Sequence, residues 1–327
     1  MTRHLITGGA GFIGSALAHR LVEEGHAVTV LDRFSRGKAE RLPVKALQIK
    51  GDIRDSETVL RAVKAADVIW HLAYVQGTQT FYADPKDVID VALRGIMNVL
   101  RACEFYAEKD PKELILVSSS EVYQNPPEGM FPTDETVPLS VPDVTNPRYS
   151  YGGGKIASEI ATLAYSQADV LKRAVIVRPH NIYGPDMGFE HVIPEFALQM
   201  LELIATNGTN FRIQGSGRET RSFCHIDDCV DGLLVLLEKG ADRGVYHLGN
   251  PNEEHSIKDL LFAVSRWFGH EVMMVPGRLP KGSPTRRLPD ISKMAALGYA
   301  PTVTLEAGLD KTLDWYKWDY MAKKVAA

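Results

Sequence analysis

The segment TGGAGFIG, Thr7 to Gly14, constrains this chain more than any other. It sets Gly8, Gly11 and Gly14 at the spacing G-x-x-G-x-x-G, with Phe12 and Ile13 inside the turn. The apolar run HLIT (4–7) comes just before it. The helical pattern GSALAHRLVEEG follows, closed by Gly25 as a C-cap. A strand, a glycine turn and a helix in that order let the backbone turn sharply and bring a pyrophosphate against the N–H groups of a helix N-terminus. The second strand, AVTVLD (27–32), ends on Asp32. An acid there accepts from a free ribose 2′-hydroxyl, which favours NAD over NADP. Arg33 and Arg36 argue the other way, as partners for a 2′-phosphate. GDI at 51–53 places Asp52 and Ile53 beside the adenine of such a nucleotide, and Asp52 as a plain turn residue is the competing reading.

The N-terminal half continues this strand–helix rhythm. LQIKGDIRD holds a third strand ending near Asp52. A helix runs from Ser56 to Ala65 off the capping-box-like segment SETV, and ADVIWHLA (66–73) is a fourth strand. A helix over 86–107, the strand ELILVSSS (113–120), a helix from Tyr151 to Gln167 and the strand AVIVRP (174–179) complete the series. Near-continuous apolar strands alternating with helices predict an α/β fold, a Rossmann-type doubly wound parallel sheet covered on both faces. After Pro179 the turns multiply and the strands shorten, which predicts a smaller mixed C-terminal lobe. The expected division is a dinucleotide-binding domain over 1–184 with return segments at 222–249, and a second lobe built from 185–221 and 250–327. The last residues, KKVAA, are expected to fray.

Composition excludes other classes. The formal net charge is −4, so no basic field points to nucleic acid. The longest apolar runs, such as LLVLL (233–237), fall far short of the roughly 20 residues a membrane helix needs, so no membrane partner is expected. Cys103, Cys224 and Cys229 form no disulfide framework and suit a reducing compartment, so a cytoplasmic location is expected.

YGGGK at 151–155 places Tyr151 and Lys155 at i and i+4, on one face of a helix. A phenol ionises near pH 10. A nearby ammonium and a positive nicotinamide ring favour the phenolate and lower that value, which makes an acid–base pair. The pair follows strand five at the C-terminal edge of the sheet, where such folds bind ligands.

The glycine turn, the acid after strand two, HLA at 71–73, the serine run SSS at 118–120, Y-x-x-x-K, RPHNIYGP at 178–185 and R-x-F-x-H-I-D-D at 221–228 together resemble the extended short-chain dehydrogenase/reductase superfamily. More narrowly, the chain is similar to its NAD-dependent nucleotide-sugar epimerases, dehydratases and decarboxylases, from about residue 4 to Tyr316. The resemblance implies a Rossmann lobe holding NAD, with Leu72 and Ala73 added to the cofactor contacts. It also implies a second lobe holding a nucleoside-diphosphate sugar, and a homodimer built on two long helices. There are departures. Gly154 replaces the usual serine before the lysine, Tyr74 stands where a small residue is common, and Ala92 stands where many members carry asparagine.

The implied chemistry begins with oxidation of the sugar C4 hydroxyl, with Tyr151 taking the proton, NAD the hydride, and Ser119 bonding the C4 oxygen beside a supporting Ser120. Asn181 approaches the substrate and Arg221 its pyrophosphate, where arginine's fork suits phosphate oxygens. Ser119-Ser120-Glu121-Val122-Tyr123 with Arg287 is closest to the dehydratases, which use the Glu as a base, and to the decarboxylases, whose arginine lies near the sugar carboxylate. A lyase is therefore expected, an NDP-sugar 4,6-dehydratase or a UDP-glucuronate decarboxylase. The alternatives are an epimerase in which Glu121 is not essential and a non-catalytic NAD-sensing protein. CHIDDC (224–229) resembles a family strand-to-helix junction with Asp227 or Asp228 near the helix start, so no metal is expected. His180 and His191 flank the pocket segment, and DWYKWDY (314–320) reads as a packed terminal helix.

Overall fold

The computed structural model describes residues 1–326. Six strands and five helices alternate through the first half: β1 (Arg3–Thr7), α1 (Phe12–Glu23), β2 (Ala27–Asp32), β3 (Leu47–Lys50), α2 (Ser56–Lys64), β4 (Val68–His71), α3 (Thr78–Ala83), α4 (Pro85–Tyr106), β5 (Glu113–Val117), α5 (Tyr149–Gln167) and β6 (Arg173–Pro179). With the strand Gly244–Leu248 they form a seven-stranded parallel sheet in the order β3-β2-β1-β4-β5-β6 and then Gly244–Leu248. The order reverses between β1 and β4. Connections leaving their C-terminal ends diverge there and open a crevice.

The strands are apolar on both faces because both faces are covered. Ile6, Val30, Trp70, Val117 and Val175 pack on one side against α1 and the helix Ile226–Lys239. Leu5, Leu31, Ile69, Leu114 and Ile176 pack on the other against α2, α4 and α5. Alternation along each strand sends neighbours to opposite layers. A third cluster, with Tyr183, Phe196, Phe211, Leu261 and Tyr316, joins the helices Val192–Thr206, Ile257–Phe268 and Leu305–Ala326. It contains none of the sheet residues and lies beyond the C-terminal edge of β6.

Several boundaries differ from the sequence reading, each for a local reason. β3 stops at Lys50 because Asp52 turns back to bind Arg54. The helix from Ser56 is capped by Asp55, whose carboxylate accepts from the Glu57 N–H, rather than by Ser56. The long helix begins at Pro85, capped by Asp84, and is preceded by the unforeseen short helix α3. α5 begins one half-turn early, at Tyr149. Gly25 takes φ +82° after α1, as a helix-ending glycine does. The terminal helix runs to Ala326, buries Tyr316 and leaves Trp318 exposed; Ala327, at the end of the segment expected to fray, lies outside the described residues.

Candidate active site

A cleft of about 660 Å³ opens over the C-terminal ends of β1, β4 and β5. At its floor Gly8 has φ +70°, and a Cβ there would stand 2.7 Å from the Ala73 backbone. A Cβ on Gly14 would stand 2.7 Å from the Gly8 carbonyl. These glycines let the turn, the helix and β4 meet at backbone contact, and Gly11 caps α1 without a side-chain bond. The first N–H groups of α1 thus face the cleft, with the positive end of the helix behind them.

Asp32 closes the turn from the next strand. Its carboxylate accepts from the Ala10 N–H at 3.0 Å and the Phe34 N–H at 2.8 Å, and it keeps lone pairs for a ribose hydroxyl. The two nearby arginines are engaged elsewhere. Arg33 faces Asp87 at 3.4 Å and Asp52 at 4.0 Å. Arg36 donates to the Gln76 carbonyl and pairs with Glu190 at 3.3 Å. Both therefore have carboxylates where a 2′-phosphate would need them free, which removes the sequence-level argument for NADP. Asp52 does more than form a turn: its bonds to Arg54 hold its carboxyl below the usual range. Phe12, Ile13, Ile53, Leu72 and Ala73 all line the cleft.

Two further contacts cross its mouth. Arg41 forms a forked pair with Asp186, and Lys38 lies 3.8 Å from the same carboxylate. With Arg36–Glu190 they join the segment after β2 to the segment after Tyr183, over the Asp32 end of the cleft.

The reactive end gathers Ser119, Gln76, Tyr151 and Lys155. Tyr151 stacks on Phe81, with centroids 5.0 Å apart and planes at 16°, and its oxygen accepts from Gln76 Nε2 at 2.8 Å. Ser119 caps the short helical turn Ser120–Tyr123, its Oγ accepting from the Glu121 N–H at 3.2 Å. Burial pushes the Tyr151 phenol up to about 12, and hydrogen bonds from Ser119 and Gln76 pull against it. The expected lowering invokes a nicotinamide ring as well as Lys155, and the protein's own groups do not by themselves produce it. Lys155 Nζ donates to the Val117 carbonyl at 2.6 Å, lies over the Tyr74 ring, and stays 5.7 Å from the Tyr151 ring centre. Within the protein's own groups, dehydration of the phenol outweighs the cation. Ser118 borders the cleft too, but its hydroxyl is taken up by a strand-end contact, donating to Glu159.

Glu121 faces a cluster of arginines. Arg287 Nη2 stands 2.7 Å from its carboxylate and Arg148 Nη2 4.0 Å, while Arg287 Nη1 donates to Ser120 Oγ at 3.4 Å. Burial pushes the Glu121 carboxyl up, but Arg287, Arg148 and Arg221 outweigh it and hold it below the usual glutamate range. Arg221 does not line the cleft. It donates to the Thr220 and Pro284 carbonyls, and burial together with Arg287 brings it down to about 10. Asn181 lines the cleft with φ +43°, its amide donating to the Ser222 carbonyl at 2.9 Å. His191 lines it too, at the start of the helix Val192–Thr206; His180 is buried outside it. In CHIDDC, His225 caps the following helix and Asp228 accepts from the Thr302 and Val303 N–H groups. The sequence reading missed Gln76, Phe81, Arg148 and Glu190. Only Arg148, three residues before Tyr151 on the same helical turn, carried a spacing that pointed to it.

The model of the NAD dependent epimerase/dehydratase family matches residues 4–249. The chain belongs to that family. Within it, the UDP-N-acetyl-alpha-D-glucosaminuronate decarboxylase of Bacillus cytotoxicus is 31% identical over 328 residues, covering 96% of this chain and 98% of the relative. The UDP-glucuronic acid decarboxylase 1 of Xenopus tropicalis is 32% identical over 318 residues, covering 96% of this chain and 72% of the relative. Among solved structures, the UDP-glucose 4-epimerase of Thermotoga maritima, bound to UDP-glucose, superposes with a TM-score of 0.87 at 27% identity, covering 97% of this chain and 99% of that one. As a member of the epimerase/dehydratase family this chain is an NAD-dependent enzyme. The close backbone approach at Gly8, the exposed N–H groups of α1 and the acid at Asp32 fit that cofactor. No helix among the described residues is long and apolar enough to cross a membrane.

Proposed function

We propose that the enzyme oxidises C4 of a nucleoside-diphosphate hexuronic acid and releases its carboxylate as CO₂. The observation that carries this reading is Arg287. Its side chain is 10% exposed and lines the cleft beside Ser119 and Tyr151. Among the described residues its Nε has no acceptor, while its Nη2 pairs with Glu121 at 2.7 Å and its Nη1 reaches Ser120. A buried guanidinium that faces the cleft and keeps a donor unpaired favours an added anion such as a sugar carboxylate. The similarity to two decarboxylases supports the same outcome.

In this reading Tyr151 takes the C4 hydroxyl proton while Ser119 and Gln76 hold the oxygen in place. NAD, when bound, would supply a hydride acceptor and donor for C4, with the glycine turn and Asp32 to hold it. With a ketone at C4, the C5 carboxylate belongs to a β-keto acid. The C5–C6 bond breaks, its electrons pass to the C4 oxygen, and Ser119 and Tyr151 stabilise the enolate. Arg287 orients the departing carboxylate, and ionised Glu121 fixes Arg287. A carboxyl held low by arginines is a weak base, which counts against dehydration through Glu121. Asn181 and Arg221 are assigned to the sugar nucleotide, with Arg221 acting after its carbonyl contacts exchange. The lobes are assigned as 1–184 with 222–249 for the cofactor, and 185–221 with 250–327 for the nucleotide sugar.

A panel of UDP-, GDP-, dTDP- and CDP-sugars, read by mass spectrometry, tests the reaction. Loss of CO₂ from a uronic acid supports it. Loss of water assigns a dehydratase and an unchanged mass with a new retention time an epimerase, and either overturns it. No turnover, and no reduced-nicotinamide absorbance, leaves the NAD-sensing protein. Glu121→Gln is expected to keep C4 oxidation and slow the later step, seen as accumulated keto sugar. Unchanged turnover in that variant removes Glu121 from the mechanism.

The finer partner assignments are a homodimer through α4 and α5 and, with three free buried cysteines, a cytoplasmic location. Leu93, Phe105 and Ile160 lie exposed on these two helices, more apolar surface than a solvent-facing pair requires. Ile160→Arg is expected to convert a dimer to a monomer by light scattering, with the fold retained.

A further inference from the structure

We propose that Tyr74 is a positioning residue for the acid–base pair: its aromatic face holds the Lys155 ammonium beneath Tyr151. The ring centre lies 3.2 Å from Lys155 Nζ, inside the range where an ammonium is attracted to a π face. The ring is fixed from behind. Its hydroxyl donates to Ser158 Oγ, and Ser158 donates in turn to the Gly154 carbonyl at 2.8 Å. Its edge meets Tyr151, at 6.1 Å and 78°, and His71, at 5.8 Å. Tyr74 is thus clamped to the helix that carries both reactive groups.

The surroundings of Lys155 explain why a π face matters there. Its own helix contributes Tyr151, Ser158 and Glu159. β5 contributes the Val117 carbonyl, β4 contributes His71, and the loop after β4 contributes Tyr74. Glu159 already pairs with Arg178 at 2.6 Å and accepts from Ser118, so its charge is largely offset. His71 is held neutral, since burial brings it down to about 3. Burial also pushes Lys155 well below its ordinary value. Glu159 still favours the charged Lys155, and the Val117 carbonyl and the Tyr74 face are the electron-rich groups that touch Nζ directly. Tyr74 itself does not compete as a base, because burial pushes its phenol upward.

A weaker ring lets Lys155 shed its proton more readily, and Tyr151 then loses the cation that favours its phenolate. The acid limb of kcat/KM moves up and the basic limb moves down. Tyr74→Leu is expected to move the acid limb up by about one pH unit, whereas Tyr74→Phe, which keeps the face, leaves it in place. A series of mono-, di- and trifluorinated phenylalanines at position 74 keeps the shape and withdraws charge from the face stepwise, so it does not depend on how Tyr74→Leu folds. The acid limb is expected to climb with each fluorine. The Tyr151 Cζ resonance of ¹³C-tyrosine-labelled protein, assigned with Tyr151→Phe, is expected to titrate in parallel, with or without turnover. A flat response across the fluorinated series, or a shift in Tyr74→Phe equal to that in Tyr74→Leu, overturns the proposal. It rests on Tyr151 as the base, and the two fail separately: activity surviving in Tyr151→Phe removes the base, while a flat series with an inactive Tyr151→Phe removes only Tyr74.

Discussion

Tyr151→Phe is expected to lower turnover by about a hundred- to ten-thousand-fold, the span ascribed to one positioned acid–base group, while the protein keeps its cofactor and its fold. The substitution removes one oxygen. The ring keeps its stack on Phe81 and its place among Tyr74 and Gly152. What is lost is the atom to which Gln76 Nε2 donates and toward which Ser119 is directed. Steady-state rates with a uronic-acid nucleotide, absorbance of the purified protein and its melting temperature check the three parts separately. The acid limb of the wild-type profile is expected to report the Tyr151 phenol, which burial raises and bound substrate and cofactor lower, and the basic limb the Lys155 ammonium. A rate that stays flat well into the alkaline range would reassign the base.

The second large effect is at Arg287. Arg287→Ala is expected to cut kcat/KM for a uronic-acid nucleotide by about a hundredfold, the scale of one charge-assisted bond to a carboxylate. A sugar nucleotide without the carboxylate should show a much smaller loss in binding. The same change leaves Glu121 with only Arg148 and the distant Arg221 to oppose burial, so its carboxyl rises. The sign follows from linkage. A carboxyl held below its unfolded value contributes stability above the ordinary glutamate range, and that contribution disappears as pH falls through the folded value. The wild type is therefore expected to melt higher than Arg287→Ala at neutral pH, and the gap closes in the acid range. Melting curves from neutral to acid pH measure it.

The parts of the fold that were legible in the sequence are those decided within one or two turns of chain. The glycine turn, the apolar strands, and Tyr151 with Lys155 on one helical face each depend on near neighbours, and the sheet follows from their repetition. The parts that were not legible depend on distant packing. Gln76 lies in a loop with no pattern, yet it meets Tyr151 across 75 residues. Spacing reveals the lysine but not the depth at which Tyr151 is buried. Two departures noted separately, Gly154 and Ala92, are one packing event. A Cβ on Gly154 would stand 2.7 Å from the Ala92 Cβ, so small residues on both sides let α4 and α5 approach closely. Gly152 serves the same end: its Cβ would stand 2.9 Å from the Glu121 carbonyl, so α5 can seat against the turn that carries Glu121. The glycine run that weakens the start of this helix is what lets it reach the site.

The contacts across the mouth of the cleft bear on how long its contents stay. Arg41–Asp186 is well shielded, with side chains 14% and 21% exposed, whereas Arg36–Glu190 is open to solvent at 49% and 33%. Salt screens the outer pair over a Debye length of about 8 Å at physiological ionic strength and reaches the inner one much less. Rising ionic strength is therefore expected to loosen the outer contact first and to leave the Arg41–Asp186 pair in place. A chemistry that hands the hydride back to the molecule it came from needs no exchange with a free nucleotide pool.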